Sequence, residues 1–403
     1  MALDLDIRSF FRKAPRDWLK RYFTHHGALL DFDWRSTGRA SNDLLHQAFQ
    51  SIDEETRLRM TDDFRNVTLL ASPAGKLAII DEAAQHGETD GFTNQLAQLA
   101  DFQACAFWTY FERPKYWDGA VFFAAADTKP KRYWRKRINM PVFGRRVADA
   151  DGAALAHALG RLFMEREARG AYCTVHTYHR GDRDYYFAYP QDHRQTSIEY
   201  DEGQMTKRPY NPAFEIILVH NDRDRTLSIW HQGQAERVRD LQVAFARAVL
   251  KADIPRDSPR DTRVYDLSMF ARSDFQLTGL AKHGIERAEA RRLRLHILAP
   301  HKHSIIIDIG ANTPNHVLFD RIKAVTQGLA TSAIRVSQAG LRVTFELKPN
   351  DKKQRVRNFE LNWPNSCSLH NDGCDVVIQR MLVENGIEPR QTDGGPDDSG
   401  EDR

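Results

Sequence analysis

The stretch Ala171–Tyr189, AYCTVHTYHRGDRDYYFAY, decides the fold class. Two runs rich in β-branched and aromatic residues, Ala171–His179 and Asp184–Tyr189, flank His179-Arg180-Gly181-Asp182-Arg183, which predicts a hairpin. The pattern repeats downstream, where Phe214–His220 and Thr226–Gln232 flank Asn221-Asp222-Arg223-Asp224. Before the first hairpin, Asp151–Arg169 carries Leu155, Leu159, Leu162 and Phe163 on one helical face, with Gly170 at its end. After the second, Glu236–Leu250 is amphipathic through Val238, Leu241, Phe245 and Val249. Consecutive hairpins between helices predict antiparallel sheets rather than βαβ units, so the fold class is α+β.

Working towards the N-terminus, residues 1 to about 112 read as helical. Phe10, Phe11, Trp18, Leu19, Tyr22 and Phe23 recur at helical spacing, as do Leu96, Leu99, Ala100 and Phe107. Ser41-Asn42-Asp43 offers an N-cap for a helix carrying Leu44, Leu45, Ala48 and Phe49. Gly119–Ala126, GAVFFAAA, is an apolar run whose periodicity does not separate strand from helix. Towards the C-terminus, IPRDSPRD (254–261) is a candidate linker. Arg292–Leu298 alternates strictly, with Leu293, Leu295 and Ile297 opposite Arg292, Arg294 and His296. Ser304–Ile309 reads as a buried-type strand, and Thr313-Pro314 opens a helix to about Lys323. Ile334–Leu347 and Arg355–Trp363 read as strands joined by Pro349-Asn350-Asp351, and a last helix, Asp375–Glu384, stops at Asn385-Gly386. The expected organisation is a helical N-terminal region (1–150) holding a basic-aromatic segment, then two mixed α/β regions built on hairpins (151–255 and 264–388). A disordered acidic tail, 389–403, is expected to close the chain.

The chain has 403 residues, 28% of them charged, and four cysteines (Cys105, Cys173, Cys367, Cys374). So few cysteines in so long a chain do not form a disulfide framework, which points to a reducing cytoplasm. No window approaches 18 uninterrupted apolar residues and the first residues lack a signal-type apolar core, so neither a membrane span nor export is expected. Net charge is +3, but its distribution is uneven. Residues 388–403 hold six acids and two arginines, whereas Glu112–Arg146 holds ten basic and three acidic residues. Charge concentrated in this way suggests an anionic partner.

The densest part is Lys129-Pro-Lys-Arg-Tyr-Trp-Arg-Lys-Arg137. Six of its nine residues are cationic (Lys129, Lys131, Arg132, Arg135, Lys136, Arg137), with Tyr133 and Trp134 between them. Several cations in reach of one phosphate backbone, with rings for bases to stack on, suit nucleic acid. The competing reading is a solvated charged face with two aromatics tucked into the core. Arg292, Arg294 and His296 could extend the basic surface, and an ordinary exposed sheet face is the alternative.

Other constellations are less specific. Asp118, Asp127 and Lys129 have the order of the acid and acid-x-Lys set that metal-dependent nucleases of the restriction-endonuclease kind use. Nine residues separate the two acids by about 30 Å in a strand and about 13 Å in a helix. Glu215 with Asp222-x-Asp224 resembles the acidic set of topoisomerase-primase-type domains, but these residue types also make turns. Ile305–Asn312 resembles the strand end and Gly turn of a methyltransferase, without room for the remaining units of that fold. Cys173-x-x-His176-x-x-His179 alternates faces on a strand, His301-x-His303 supplies only two ligands, and Cys367 and Cys374 have no partner pair, so no metal is expected. No Walker-type phosphate loop and no Gly-x-Ser-x-Gly elbow occur, and no cofactor is expected.

The expectation is a non-enzymatic protein that binds DNA or RNA, acting with a protein partner as a subunit or sensor of a bacterial system, with defence against phage as one setting. Two alternatives stand beside it. One is a Mg²⁺-dependent nuclease using Asp118, Asp127 and Lys129. The other is an interaction scaffold built on the aromatics of the first third, Trp18, Tyr22, Phe23, Phe32, Trp34, Trp108, Tyr110, Phe111 and Trp117.

Overall fold

Side chains cap the N-termini of four early helices. The carboxylates of Asp6, Asp53 and Asp101 and the hydroxyl of Ser72 each accept a backbone N–H three residues on. The helices of this part are α1 (Ile7–Lys13), α2 (Arg16–His25), α3 (Arg39–Gln50), α4 (Glu54–Leu70), α5 (Pro73–Gln85), α6 (Asp90–Ala97), α7 (Phe102–Glu112) and α8 (Trp117–Thr128). The computed structural model describes residues 5–36, 38–88, 90–145, 147–201, 203–272, 275–298, 302–327, 329, 333–347, 353–369 and 373–388. The Pro349-Asn350-Asp351 turn, His301 and the 389–403 tail lie outside the described residues.

Two compact units result. The first ends at Lys129 and also takes in Tyr178–Gly181, and the second begins at Pro130. In the first unit, Phe10, Phe11, Tyr22, Phe23, Phe49, Phe64 and Phe107 are buried, and their rings pack against one another at centroid distances such as 4.6 Å (Phe10–Phe64) and 5.4 Å (Phe11–Phe49). Each such side chain contributes on the order of 1.5–3 kcal/mol by leaving water. Gly119–Ala126 is settled as part of helix α8, consistent with an alanine-rich run long enough for three turns. The expected cap at Ser41 moves: α3 starts at Arg39, and buried Ser41 instead donates to the Ser36 carbonyl at 2.9 Å.

The second unit holds two five-stranded antiparallel sheets. The first uses β1 (Trp134–Arg137), β2 (Cys173–Arg180), β3 (Arg183–Pro190), β6 (Ile216–Asn221) and β7 (Thr226–Trp230), in the order β1-β7-β6-β3-β2. Gly181 turns the β2–β3 hairpin in the left-handed region, at φ 64°. Helices α9 (Asp149–Glu167) and α10 (Ala235–Phe245) pack on this sheet. Leu155, Leu159, Phe163, Val238, Leu241 and Phe245 meet Tyr186, Ile216, Leu218 and Ile229. Between β3 and β6, β4 (Gln195–Asp201) and β5 (Gln204–Tyr210) form a separate two-stranded hairpin.

After α11 (Pro259–Thr262) comes the second sheet. Its strands are β8 (Ile285–Ile297), β9 (His303–Asp308), β10 (Ile334–Phe345), β11 (Val356–Asn362) and β12 (Ser366–Cys367), ordered β12-β11-β10-β8-β9. One face is covered by α12 (His316–Thr326) and α13 (Gly373–Glu384). Leu318, Ile322, Ile378, Met381 and Leu382 pack on Leu293, Leu295, Val336, Leu341 and Phe359. Ser304–Ile309 is not a buried strand. It forms the sheet's edge as β9, with Ile306 53% exposed, because its alternate side chains face away from the helices.

Candidate functional site

The basic-aromatic segment, which the sequence groups with the helical region, is divided: Lys129 ends the helical unit, while Pro130 onward lies in the second unit and Trp134–Arg137 form β1 of its first sheet. The reason is a ladder of main-chain pairing: β1 lies antiparallel to β7 with Trp134 opposite Trp230 and Arg137 opposite Leu227. On its other side the Lys136 N–H donates to the Asn365 carbonyl at 3.0 Å. Side chains therefore alternate, with Lys136 on one face and Arg135 and Arg137 on the other.

This placement divides the six cations. Arg137 is 1% exposed and donates to Gln242 (3.3 Å), the Pro255 carbonyl (2.8 Å) and Asp261 (3.1 Å). Burial lowers its pKa, and Asp261 opposes that shift. Lys136 pairs with Glu388. Lys129 caps the end of α8 through its backbone, and the Lys131 carbonyl accepts from the Ser366 hydroxyl at 3.3 Å. Both lysine side chains are half-buried. Arg132 is exposed and lies over the Tyr133 ring at 4.8 Å. Tyr133 and Trp134 are half-buried, with Tyr133 edge-on to Trp230.

Arg135 differs from its neighbours. Its Nη1 donates to the Arg132 and Trp134 carbonyls at 2.6 and 2.9 Å, desolvation lowers its pKa, and no ion pair reaches it among the described residues. It lines a cleft of about 350 Å³ with Arg239, Arg263, Trp363, Ser258 and Asn365. Main-chain bonds fix the walls: Ile138 N–H to the Asp261 carbonyl (3.0 Å) and Val264 N–H to the Pro364 carbonyl (2.9 Å). One carboxylate, Asp257, also lines the cleft and is engaged by Arg239 and Arg256. Arg263 and Arg335 approach the Trp363 ring at 6.0 and 5.0 Å.

Arg335 leads from the cleft to the outer face of the second sheet. Opposite the helix-covered core, alternation places Arg287, Arg292 and Arg294 of β8 and Arg335 and Arg342 of β10 on one surface with Glu289, Asp308 and Glu360. Arg292 sits between Asp308 (Nε at 2.9 Å) and Glu360 (3.4 Å), and Arg287 approaches Glu289 at 3.7 Å. Arg294, Arg335 and Arg342 take part in no ion pair among the described residues.

The other constellations do not converge. Asp118 and Asp127 both lie on α8, nine residues and two and a half turns apart, so they point to opposite sides about 13 Å apart along the axis. Asp127 is bound by Arg180 at 2.8 Å, and Arg180 also holds Asp81. One ion touches its ligands within about 2–2.6 Å, so these two carboxylates do not share one. Asp222 accepts the backbone N–H groups of Phe143 and Gly144, and Asp224 is tied to Asn221, which makes this stretch a turn. Among the described residues no group of three His, Cys, Asp or Glu side chains is placed to hold a metal ion. Among the same residues, no helix is long and apolar enough to cross a membrane.

Sequence reasoning missed Arg239, Arg263, Arg335, Arg342 and Trp363. The alternation of Arg342 with Leu341 and Val343 was a usable signal. The cleft had none, because its residues come from four separated stretches. No protein-family model, curated protein or solved structure matches the chain significantly.

Proposed function

We propose that this chain binds nucleic acid without transforming it, using the outer face of the second sheet and the adjoining cleft. The supporting observation is the charge of that face: five arginines against three carboxylates, with Arg294, Arg335 and Arg342 outside every ion pair among the described residues. A guanidinium not engaged by a carboxylate is available to phosphate oxygens, and its planar fork suits them. Trp363 and the cleft arginines continue this surface. From the basic segment, Lys131, Arg132 and Arg135 of the second unit are retained as contacts, Lys129 of the first unit is a contact only on its own account, and Lys136 and Arg137 are structural cations.

The test is the triple variant Arg294→Glu/Arg335→Glu/Arg342→Glu, with DNA and RNA affinity measured from about 50 to 200 mM salt. Affinity is expected to fall at least tenfold at low salt, and the log–log salt slope to flatten by about 2–3 on duplex DNA. Unchanged affinity and slope in a folded variant would falsify the reading. Arg137→Glu is unsuited to this purpose, because Arg137 is buried against Asp261.

A further inference from the structure

We infer that the cleft around Arg135 is a nucleotide site, holding a phosphate between Arg135 and Arg263 with the base against Trp363. Where the nucleotide is the end of a strand, this rests on the nucleic-acid reading above. Where it is free, it stands alone.

Arg135 carries the argument. Its guanidinium is half-buried on a strand whose neighbouring carbonyls already hold one of its nitrogens, so its position is fixed. A cation withdrawn from water costs free energy unless an anion compensates it. The other inward cation of this strand, Arg137, has Asp261. Arg135 instead faces the cleft, where the only lining carboxylate among the described residues, Asp257, is already held by Arg239 and Arg256. Arg263 joins it as a second cleft cation that enters no ion pair among the described residues. The missing counter-charge therefore matches an anionic ligand.

Size and lining narrow the ligand. A volume of about 350 Å³ takes one nucleotide and does not admit paired strands. The Ser258 hydroxyl and the Asn365 amide supply neutral donors, as phosphate oxygens require, while Val238, Pro364 and the Trp363 ring supply an apolar wall for a base. Backbone bonds from Lys136 N–H to Asn365 and from Val264 and Tyr265 N–H to Pro364 hold these walls in register, which lowers the ordering cost of binding.

The test uses the full chain with Arg135→Gln and Arg263→Gln. The probes are single strands ending in 5′-phosphate, 3′-phosphate or hydroxyl, a circular single strand, AMP, ATP and orthophosphate. One phosphorylated end is expected to bind at least about tenfold more tightly than the hydroxyl end, the gain of charge-assisted hydrogen bonds. Arg135→Gln should remove that difference, while the circular strand weakens only by the loss of one ordinary phosphate contact and so by less than the phosphorylated end. The sheet-face triple variant should weaken all strands while keeping the end preference, so the two proposals fail separately. Binding of AMP or ATP without end preference, lost in Arg135→Gln, would assign the site to a free nucleotide. Equal binding of phosphorylated and hydroxyl ends together with no binding of AMP or ATP overturns the inference. So does ligand binding indifferent to both substitutions. Should Arg135→Gln not fold, the exposed Arg263 carries the same comparison.

Discussion

His231 shows how burial sets the chemistry of a single residue. Its ring is 5% exposed and lies between Phe163 and Phe214, each with centroids 6.2 Å away. Desolvation pushes its pKa from 6.5 down to about 4, with Arg169 and Arg237 acting in the same direction and Glu167 against it. The folded chain thus binds fewer protons than the unfolded chain between these two values. Stability must then fall as pH drops through that window and level off below it. The contribution is about 3 kcal/mol at the low end. His231→Phe removes the proton site while keeping an aromatic ring. Relative to the parent chain it should gain about that much in urea unfolding free energy between pH 6.5 and 4. Parallel pH profiles for the two proteins would show that His231 does not titrate on unfolding. His220, also buried and pushed down by desolvation, acts with the same sign and is common to both proteins.

At the scale of elements, β1 links the two sheets of the second unit, and the buried Arg137–Asp261 ion pair helps to secure it. Asp261→Ala leaves Arg137 buried with only the Gln242 and Pro255 oxygens. A buried pair broken on one side costs about 3–5 kcal/mol, so the urea midpoint of the second unit should drop clearly. A loss below about 1 kcal/mol would mean that those two neutral acceptors suffice. The same strand shows where sequence reading ends. Period two is local, so β8 could be read directly, with Leu293, Leu295 and Ile297 inward and Arg292 and Arg294 outward. Whether a cation is a surface contact or a buried brace depends on distant partners. Those of Arg137 lie 105, 118 and 124 residues away, and no local pattern reports them. α8 was ambiguous because an apolar run has no polar face to reveal its period. The β4–β5 hairpin went unread for the opposite reason. All of β5 is exposed, and Pro209 within it argues against a strand. Register places Ile198, Tyr200 and Met205 on one face of that hairpin, 62–77% exposed.

Across the whole molecule, charge is divided between a basic body and an acidic end. Residues 389–403 carry five acids and two arginines, so the rest of the chain carries +6 against a total of +3. This segment follows Glu388, whose carboxylate meets Lys136, and Arg135 of the cleft is the next residue along the same strand. Fifteen residues span at most about 50 Å, so attachment at Glu388 gives these carboxylates a higher effective concentration than free acid would have. On the nucleic-acid reading proposed above they would compete with phosphate, at low salt above all, because exposed charges are screened beyond about 10 Å at 0.1 M. A chain ending at Glu388 should therefore bind nucleic acid severalfold more tightly at about 50 mM salt, with a steeper salt dependence. The advantage should vanish towards 0.5 M. Replacing Asp393, Asp397, Asp398, Glu401 and Asp402 with their amides should reproduce the truncation, since charge and not length does the competing. Truncation that lowers affinity would mean instead that Arg390 and Arg403 contribute contacts, and the amide variant would then bind more tightly than the truncated chain.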